Sequence, residues 1–435
     1  MIKAKNKLGL VFFPAFDWAI SPDHPEREER LLYTKDQLFE EGIEDIEGLT
    51  LLNPVLAETR DIQRVHFCVP DVSSRLTESH YIAAGGAIRS FQAVMNKEVD
   101  KAFALLRPPG HHAQRVVYGS RGFCLINIEA VMLERIRQEF GHFRAAIIDT
   151  DCHHGDGTQD IYWNDPDTLF ISFHQDGRTL YPGTGFVEEF GGPGAYGYNL
   201  NIPLPPETGE EGFLYVLEHV VMPVLADFKP DIVINSAGQD NHYTDPLTRM
   251  KFTAQGYAKL TERLNPDVAV LEGGYSIEGA LPYMNLGILL ALAGIDYSNV
   301  VEPDYYDLDL RQSDDVTDYI KELSELVYHR WEIKEYLKEK EFKGLEEFTR
   351  ARRIYYDTDG ILEQQRETIH HCSKCSGLVV IDSKSDQGIG ILAVTIPRDA
   401  CKKCMQIGER LFRHPPGHYH HHYLQDRVND RFYAK

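Results

Sequence analysis

The chain has 435 residues, 43% of them hydrophobic, and a formal net charge of −22. This length accommodates one large α/β domain and a smaller one, and no apolar run approaches the roughly 20 residues of a membrane span. The acidic balance disfavours nucleic acid as the main ligand, and Pro14 interrupts the apolar start before a signal peptide can form. We therefore expect a cytoplasmic protein with no membrane partner.

Short apolar runs recur through the first 300 residues and alternate with helical patterns. Several runs are apolar throughout, which indicates strands that are covered on both faces, as in a parallel sheet. The alternation predicts an α/β fold that is built from βαβ units around a central, mostly parallel sheet. The predicted strands are 7–13, 102–106, 145–148, 168–173, 200–204, 231–236 and 268–271, and the predicted helices are 27–42, 80–96, 210–226 and 252–264.

The composition changes after about residue 297. We predict a catalytic domain over 1–300, an acidic and helical extension over 301–366 and a small module over 367–410. Residues 411–435 are His-rich and look like an irregular tail.

Polar motifs follow four of the predicted strands. They are the segments 107–113, 149–158, 237–242 and 272–276, which include a His-His pair, an Asp/His cluster, a lone acidic residue and a Gly-Gly-Tyr. Open α/β sheets bind their ligands at the carboxyl ends of the strands. We therefore expect the functional site along that edge of the sheet.

Asp151 and His153 are two residues apart, so their side chains point the same way in extended backbone. With Asp240 they form a set of three ligands that leaves coordination positions open, which is typical of catalytic rather than structural zinc sites. Such a metal activates water, and the reaction then needs a base, for which His111 and His112 are candidates.

Two further acidic residues, Asp149 and Asp156, are available to orient these imidazoles. Tyr275 carries a phenol that is able to hydrogen-bond a developing oxyanion. Together these residue types predict metal-assisted hydrolysis of an amide.

Two C-x-x-C pairs lie near the C-terminus, and they consist of Cys372, Cys375, Cys401 and Cys404. Four thiolates suit a closed, tetrahedral zinc site, and two such pairs around a β-type run are typical of a zinc ribbon. We predict a structural zinc there, in a module that binds a protein partner or caps the domain. Four free thiols on an ordinary extension are the alternative.

The motifs R-P-P-G-H-H, G-F-C, D-x-D-x-H-H-G-D-G, Y-P-G-T-G, S-A-G-x-D and L-E-G-G-Y occur in this order. Over residues 20–297 the chain thereby resembles the histone deacetylase superfamily, and most of all its class II-like and bacterial branch, which includes the acetylpolyamine amidohydrolases. The resemblance implies a three-layer arginase/deacetylase-like fold and zinc-dependent hydrolysis of an acylated amine, such as acetyl-lysine or a small acetylated amine, with release of acetate.

The resemblance also implies roles for individual residues. His112 would be the general base, paired with Asp156, and His111 its electrostatic or acid partner, paired with Asp149. Tyr275 would polarise the acyl carbonyl. The zinc ligands would be Asp151, His153 and Asp240, the substrate pocket would include Gly122, Phe123, Tyr181 and Gly274, and a potassium ion would bind at Asp149, Ser172 and Phe173.

The sequence departs from the family pattern at pocket positions. Tyr181 stands where Phe is frequent, and Leu247 stands where polyamine-specific members carry a gatekeeping Glu, which argues against polyamine specialisation. An arginase-like dimanganese hydrolase is the alternative enzyme, but His242 occupies the position where a second metal needs a carboxylate. An inactive scaffold that binds partners through the zinc ribbon is the non-enzymatic alternative. The acyl group, the identity of the amine and the oligomeric state stay open.

Overall fold

A computed structural model describes residues 2–16, 18–21, 23–303, 305 and 310–435. Its centre is an eight-stranded sheet in which all neighbouring strands run parallel. With strands and helices numbered in chain order, the spatial order is β2 (Glu47–Leu52), β1 (Lys3–Phe13), β4 (Lys101–Leu106), β10 (Val268–Leu271), β9 (Ile232–Ala237), β6 (Ala145–Asp149), β7 (Thr168–Gln175) and β8 (Asn199–Leu204).

Helices cover both faces of this sheet, each with its own apolar core. One core includes residues from α1 (Glu29–Glu40), α6 (Glu210–Val216), α7 (Met222–Phe228), α8 (Ala254–Leu264), α9 (Leu281–Ala293) and α10 (Asp314–Glu332). The opposite core includes residues from α2 (Thr59–Gln63), α3 (Glu78–Met95), α4 (Ile128–Phe140) and α5 (Asp156–Tyr162). The predicted three-layer α/β fold is confirmed.

The sequence explains why these central strands form. The segments β4, β6 and β10 are buried along their whole length, as expected for strands with helices on both faces.

The predicted helix 210–226 is a continuous helical stretch in which a π-helical turn, Leu217–Val221, joins α6 to α7. None of the helices in the described part of the chain has the length and apolarity to cross a membrane.

A second, six-stranded sheet follows the helix α11 (Lys334–Phe342). Its strands pair in sequence order, antiparallel except for a parallel pair between the fourth and the fifth. A crossover helix, α12 (Lys402–Arg413), connects that parallel pair. The strands are β11 (Glu347–Tyr356), β12 (Ile361–His370), β13 (Leu378–Ser385), β14 (Gly390–Ile396), β15 (His421–Asp426) and β16 (Arg431–Ala434).

Both faces of the C-terminal sheet are covered. Leu392 and Phe412 belong to a small core between the sheet and α12. On the opposite face, Ile369 and Ile381 share a core with Trp163 of the catalytic domain and with the short strands β3 (Phe67–Cys68) and β5 (Val116–Val117). The two parts of the chain are therefore packed together through a common apolar interface.

The C-terminal region differs in extent from the small module expected at 367–410. The strand β11 begins at Glu347, within the predicted helical extension, and residues 304 and 306–309 of that extension lie outside the described residues. The segment that was predicted to be an irregular tail contains the strands β15 and β16. Tyr423 and Leu424 of β15 are buried in the sheet, which explains why this segment is ordered as a strand. The histidines around them obscured this strand pattern.

The four cysteines do converge, as their spacing predicted. Cys372 and Cys375 lie between β12 and β13, whereas Cys401 and Cys404 lie at the start of α12. The sulfur atoms of Cys372 and Cys401 are 3.8 Å apart, and those of Cys375 and Cys404 are 3.5 Å apart. The cluster therefore joins a loop of the sheet to a helix N-terminus and can hold a metal ion.

Candidate active site

The four polar motifs follow four adjacent strands. The strands β4, β10, β9 and β6 are consecutive neighbours in the middle of the sheet. Because they are parallel, their carboxyl ends lie at one edge, and the residues that follow them meet there. This arrangement brings His111, His112, Asp151, Asp240 and Tyr275 into one site.

Asp151, His153 and Asp240 form a compact cluster, with one potential ligand atom of each within 4.8 Å of the others. The Nδ1 atom of His153 lies 2.7 Å from Oδ2 of Asp240 and 3.2 Å from Oδ1 of Asp151. The other oxygen of Asp151, Oδ2, accepts the backbone N–H of Gly273, and the other oxygen of Asp240, Oδ1, accepts that of Cys152, each at 2.7 Å. Backbone hydrogen bonds therefore fix the orientation of both carboxylates.

The charge of this cluster fits a metal cation. Burial by itself would lower the pKa of His153, but Asp240 and Asp151 outweigh burial and raise it to about 10. Two buried carboxylates thus favour a positive charge at this point, which a proton on the imidazole or a divalent cation can supply. Two carboxylates and one imidazole nitrogen are a donor set that zinc accepts.

Each histidine of the His-His pair contacts its own carboxylate. The Nδ1 atom of His111 lies 3.0 Å from Oδ2 of Asp149, and Nδ1 of His112 lies 2.8 Å from Oδ1 of Asp156. Burial opposes a charge on His111, yet Asp151 and Asp149 together hold its pKa well above the ordinary value. Burial and the neighbouring His111 lower the pKa of His112 to about 3. The two carboxylates therefore favour the protonated form of His111, whereas burial favours the neutral form of His112.

Tyr275 is 7% exposed and is fixed from several sides. Its backbone N–H donates to Oδ2 of Asp245 at 2.7 Å. The fully buried Arg30 donates to the carbonyl oxygens of Gly274 and Glu272, at 2.8 and 2.7 Å, and its guanidinium lies 4.7 Å from the centre of the Tyr275 ring. Burial raises the pKa of Tyr275 well above its usual value, so the phenol is neutral and can donate a hydrogen bond.

A pocket of about 250 Å³ is lined by His111, His112, Asp151, His153 and Tyr275, among other residues. Its walls include Phe123 and Tyr181, whose rings lie 5.6 Å from Tyr275 and 5.2 Å from His112, respectively. Gly122 and Phe123 both have positive φ, of 52° and 70°. The pocket thus combines apolar and aromatic side chains with a small number of polar groups, as in many small-molecule sites.

Comparisons with known proteins show the family of this chain. The family model described as "Histone deacetylase domain" matches residues 67–285. A protein of Archaeoglobus fulgidus named "Probable deacetylase" is 48% identical over an alignment of 313 residues, and the match covers 66% of this chain and 86% of that protein. The chain belongs to the histone deacetylase family.

Further relatives match at lower sequence identity. The "Histone deacetylase-like amidohydrolase" of Pseudomonas aeruginosa is 36% identical over an alignment of 223 residues, and the match covers 49% of this chain and 58% of that protein. Among solved structures, the HDA15 HD domain has a TM-score of 0.64 and 26% identity, and the match covers 77% of this chain and 99% of that one. The C-terminal sheet begins at Glu347, beyond residue 285, where the match to the family model ends.

The remaining predicted site residues of this histone deacetylase family member also lie near the cluster. Asp149 and Ser172 are paired in register on β6 and β7, and Phe173 follows on β7. Potassium binding there stays a prediction. Gly274 has a φ of 125° and precedes Tyr275. His242 contacts Glu302 at 2.9 Å and is not part of the Asp151, His153 and Asp240 group.

The structure adds three residues that the sequence did not indicate. Arg121 contacts Oδ2 of Asp156 through Nε at 2.9 Å, and Gln114 donates to the same oxygen at 2.9 Å. Asp357, in the turn between β11 and β12, lines the pocket. The segment 357–360, Asp-Thr-Asp-Gly, is a recognisable turn signal, but nothing local indicates that the turn reaches the active site.

Proposed function

We propose that the protein is a zinc-dependent deacetylase that hydrolyses the amide bond of an acylated amine. One observation carries this proposal: a potential metal site, two carboxylate-paired histidines and a tyrosine line the same pocket. The family membership supports a deacetylase, and the donor set of Asp151, His153 and Asp240 supports zinc. When bound there, zinc would act as a Lewis acid toward the acyl carbonyl and the attacking water.

The protein's own groups divide the proton transfers. His112 is neutral at pH 7, so its free imidazole nitrogen can accept a proton from the attacking water, while Asp156 stabilises the resulting imidazolium. Asp151 and Asp149 favour the protonated form of His111, which can supply electrostatic stabilisation or a proton to the leaving amine. The neutral phenol of Tyr275 donates a hydrogen bond to the carbonyl oxygen as negative charge develops there.

The arrangement favours one catalytic metal over two. A second metal would need another carboxylate beside Asp240, and in the described chain the groups that could hold a metal are the Asp151, His153 and Asp240 cluster and the cysteine cluster. His242 is instead hydrogen-bonded to Glu302. We further propose that the cysteine cluster holds a structural zinc.

Metal analysis and one conservative variant test this proposal. Purified protein should contain about two zinc ions per chain, one in each cluster. Replacing Tyr275 with Phe should lower the turnover of a fluorogenic acetyl-lysine substrate by roughly 100- to 1,000-fold, the usual effect of losing one oxyanion donor, with unchanged zinc content. Tyr283→Phe is the matched control, because that hydroxyl contacts Gln37 at 3.5 Å outside the pocket.

Two results would contradict the proposal. One is a pair of manganese ions in the active site with no catalytic zinc. The other is turnover by Tyr275→Phe that equals turnover by Tyr283→Phe. A side-by-side assay of acetyl-lysine peptides, small acetylated amines and longer acyl-lysines then identifies the acyl group and the amine.

A further inference from the structure

The carboxylate that pairs with His112 is held by two further side chains. Oδ1 of Asp156 lies 2.8 Å from Nδ1 of His112, whereas Oδ2 contacts Nε2 of Gln114 at 2.9 Å and Nε and Nη2 of Arg121 at 2.9 and 2.8 Å. Burial by itself would raise the pKa of Asp156, but Arg121 and His112 outweigh burial and lower it. Asp156 is therefore an ionised carboxylate whose orientation depends on Gln114 and Arg121.

Gln114 connects both members of this pair. It is 1% exposed, and its Nε2 donates to the backbone carbonyl oxygen of His112 at 3.2 Å as well as to the carboxylate of Asp156. The nitrogen of a side-chain amide only donates, and its oxygen only accepts. If the amide of Gln114 rotated by half a turn, its oxygen would face two other acceptors and neither hydrogen bond could form. The orientation of this amide therefore determines whether Gln114 holds Asp156 or repels it.

Arg352, on β11 of the C-terminal sheet, fixes that orientation. Its Nη2 donates to Oε1 of Gln114 at 2.6 Å. A guanidinium has donors and no acceptor, so this contact forms only when the amide oxygen faces Arg352 and the amide nitrogen faces Asp156. The other terminal nitrogen, Nη1, contacts Asp160 and donates to Oε1 of Gln365 at 3.2 Å. These two partners hold the guanidinium in place between the sheet and α5.

The same strand also contacts the second residue that holds Asp156. The backbone carbonyl oxygen of Tyr355 accepts a hydrogen bond from Nη1 of Arg121 at 2.7 Å. The strand itself is paired with β12 over its whole length, so it is a firm support for both contacts. The described lining of the pocket includes neither Arg352 nor Tyr355. Any influence of β11 on the reaction through these contacts therefore passes through Gln114 and Arg121.

We propose that Arg352 is a positioning residue for the catalytic base, and that it acts through Gln114 on Asp156 and thereby on His112. This inference rests on the proposed function, because it concerns the same reaction. It makes the C-terminal sheet part of the catalytic apparatus, although the sheet lies outside the matched family domain. A displacement of the base by about 1 Å is sufficient to lower turnover roughly 100-fold, while the pocket that binds the substrate keeps its lining.

Arg352→Met removes the donors and keeps an unbranched side chain. On a fluorogenic acetyl-lysine substrate we expect kcat to fall by roughly 10- to 100-fold. KM should change by less than about threefold, because Arg352 does not line the pocket and its loss affects the reaction rather than the binding of substrate. A fall in kcat of less than about threefold in the folded variant overturns the inference.

Arg350→Met is the matched control. Arg350 lies on the same strand and contacts Asp160 and Glu367 at 3.4 and 3.0 Å, but it does not hydrogen-bond to Gln114. Its loss removes similar ion pairs from the interface, so it should lower the midpoint of thermal unfolding and leave kcat within about threefold of wild type. If Arg350→Met and Arg352→Met lower kcat equally, Arg352 has only a structural role and the inference is wrong.

A double-mutant cycle tests the route through Gln114. Gln114→Met should lower kcat at least as much as Arg352→Met does. Adding Arg352→Met to Gln114→Met should then lower kcat by less than about a further threefold, because the effects of two residues that act through one contact do not add. If the two reductions multiply in full, Arg352 acts independently of Gln114, which contradicts the inference.

Gln114→Glu is a second variant that leaves the ion pair between Arg352 and Asp160 in place. The introduced carboxylate can accept a hydrogen bond from Arg352 but has no donor for Asp156. We therefore expect kcat to fall by at least about tenfold. An unchanged kcat in this variant overturns the inference even if Arg352→Met does not fold.

The wild-type protein separates failure of this inference from failure of the proposed function. Wild-type turnover of the acetyl-lysine substrate that is matched by Arg352→Met and Gln114→Glu overturns the inference and leaves the deacetylase assignment intact. Zinc-loaded wild-type protein that hydrolyses no acylated amine overturns the proposed function, and the inference falls with it.

Discussion

Replacing Gly122 with Ala should impair catalysis much more than folding. Gly122 has a φ of 52°, in the left-handed region that favours glycine. A Cβ atom at this position would lie 2.4 Å from Cδ2 of His112 and 2.9 Å from Cε1 of Tyr181. Both distances are well below van der Waals contact, so the loop or the His112 ring must move.

The stability cost has two parts. The left-handed backbone costs Ala about 1 kcal/mol or slightly more, and overpacking of a filled site costs about 1 to 3 kcal/mol. The catalytic cost is larger, because a shift of about 1 Å in a reacting group can lower the rate roughly 100-fold. Any such shift also disturbs the 2.8 Å contact between His112 and Asp156.

Gly360→Ala is the matched control for this experiment. Gly360 has a φ of 66° and lies in the turn between β11 and β12, but its Cβ would meet no atom within 4 Å. It therefore isolates the backbone penalty from the steric clash. We expect kcat/KM of Gly122→Ala on a fluorogenic acetyl-lysine substrate to be roughly 100-fold below that of Gly360→Ala, with both variants folded by circular dichroism. If the two variants differ by less than about threefold, Gly122 does not determine the position of His112.

Two further variants test the C-terminal sheet. Cys375→Ser should remove one zinc per chain and lower the midpoint of thermal unfolding by about 5 °C or more, with turnover retained at 25 °C. Loss of turnover in a folded protein would instead connect the cysteine cluster to catalysis. Asp160→Asn should lower the free energy of unfolding by about 3 to 5 kcal/mol, because this buried carboxylate is within 3.2 Å of Arg115 and within 3.4 Å of Arg350 of β11. Burial by itself would raise the pKa of Asp160, but these arginines and Arg352 lower it. The contribution of the ionised carboxylate to the free energy of unfolding is therefore fully present above the unfolded-state pKa of about 3.9. Urea denaturation should therefore give the same difference from wild type at pH 7 and pH 5, and a smaller difference at pH 5 would contradict this reasoning.

The pattern of apolar runs was sufficient to predict the catalytic fold. Strands such as β6 and β10 are short, wholly apolar and bounded by polar motifs, so burial on both faces could be inferred without coordinates. The residue types and the spacing of Asp151 and His153 likewise indicated a common ligand site. The backbone there is bent rather than extended, and the N–H of His153 donates to Oδ1 of Asp151 at 2.9 Å. These are local properties, and the sequence by itself determined them.

The C-terminal sheet shows the limit of such inference. The sequence predicted that four cysteines bind one metal, but the same spacing is compatible with a ribbon or with a loop and a helix N-terminus, as found at Cys401. Tyr423 of β15 lies among histidines, and its strand is apparent only once β14 pairs with it. Strand pairing between distant segments depends on which apolar faces are left to cover, and no local pattern specifies that.

Tertiary structure alone decided what surrounds the reacting groups. Asp357 and Gly122 are 235 positions apart in sequence, and their contact depends on an apolar interface that includes Trp163 and Ile369. A carboxylate in a turn is normally solvated, so its residue type gave no indication of a pocket. The sequence therefore determined which residue types follow the strands, whereas the packing of the second sheet decided that Asp357 lines the pocket.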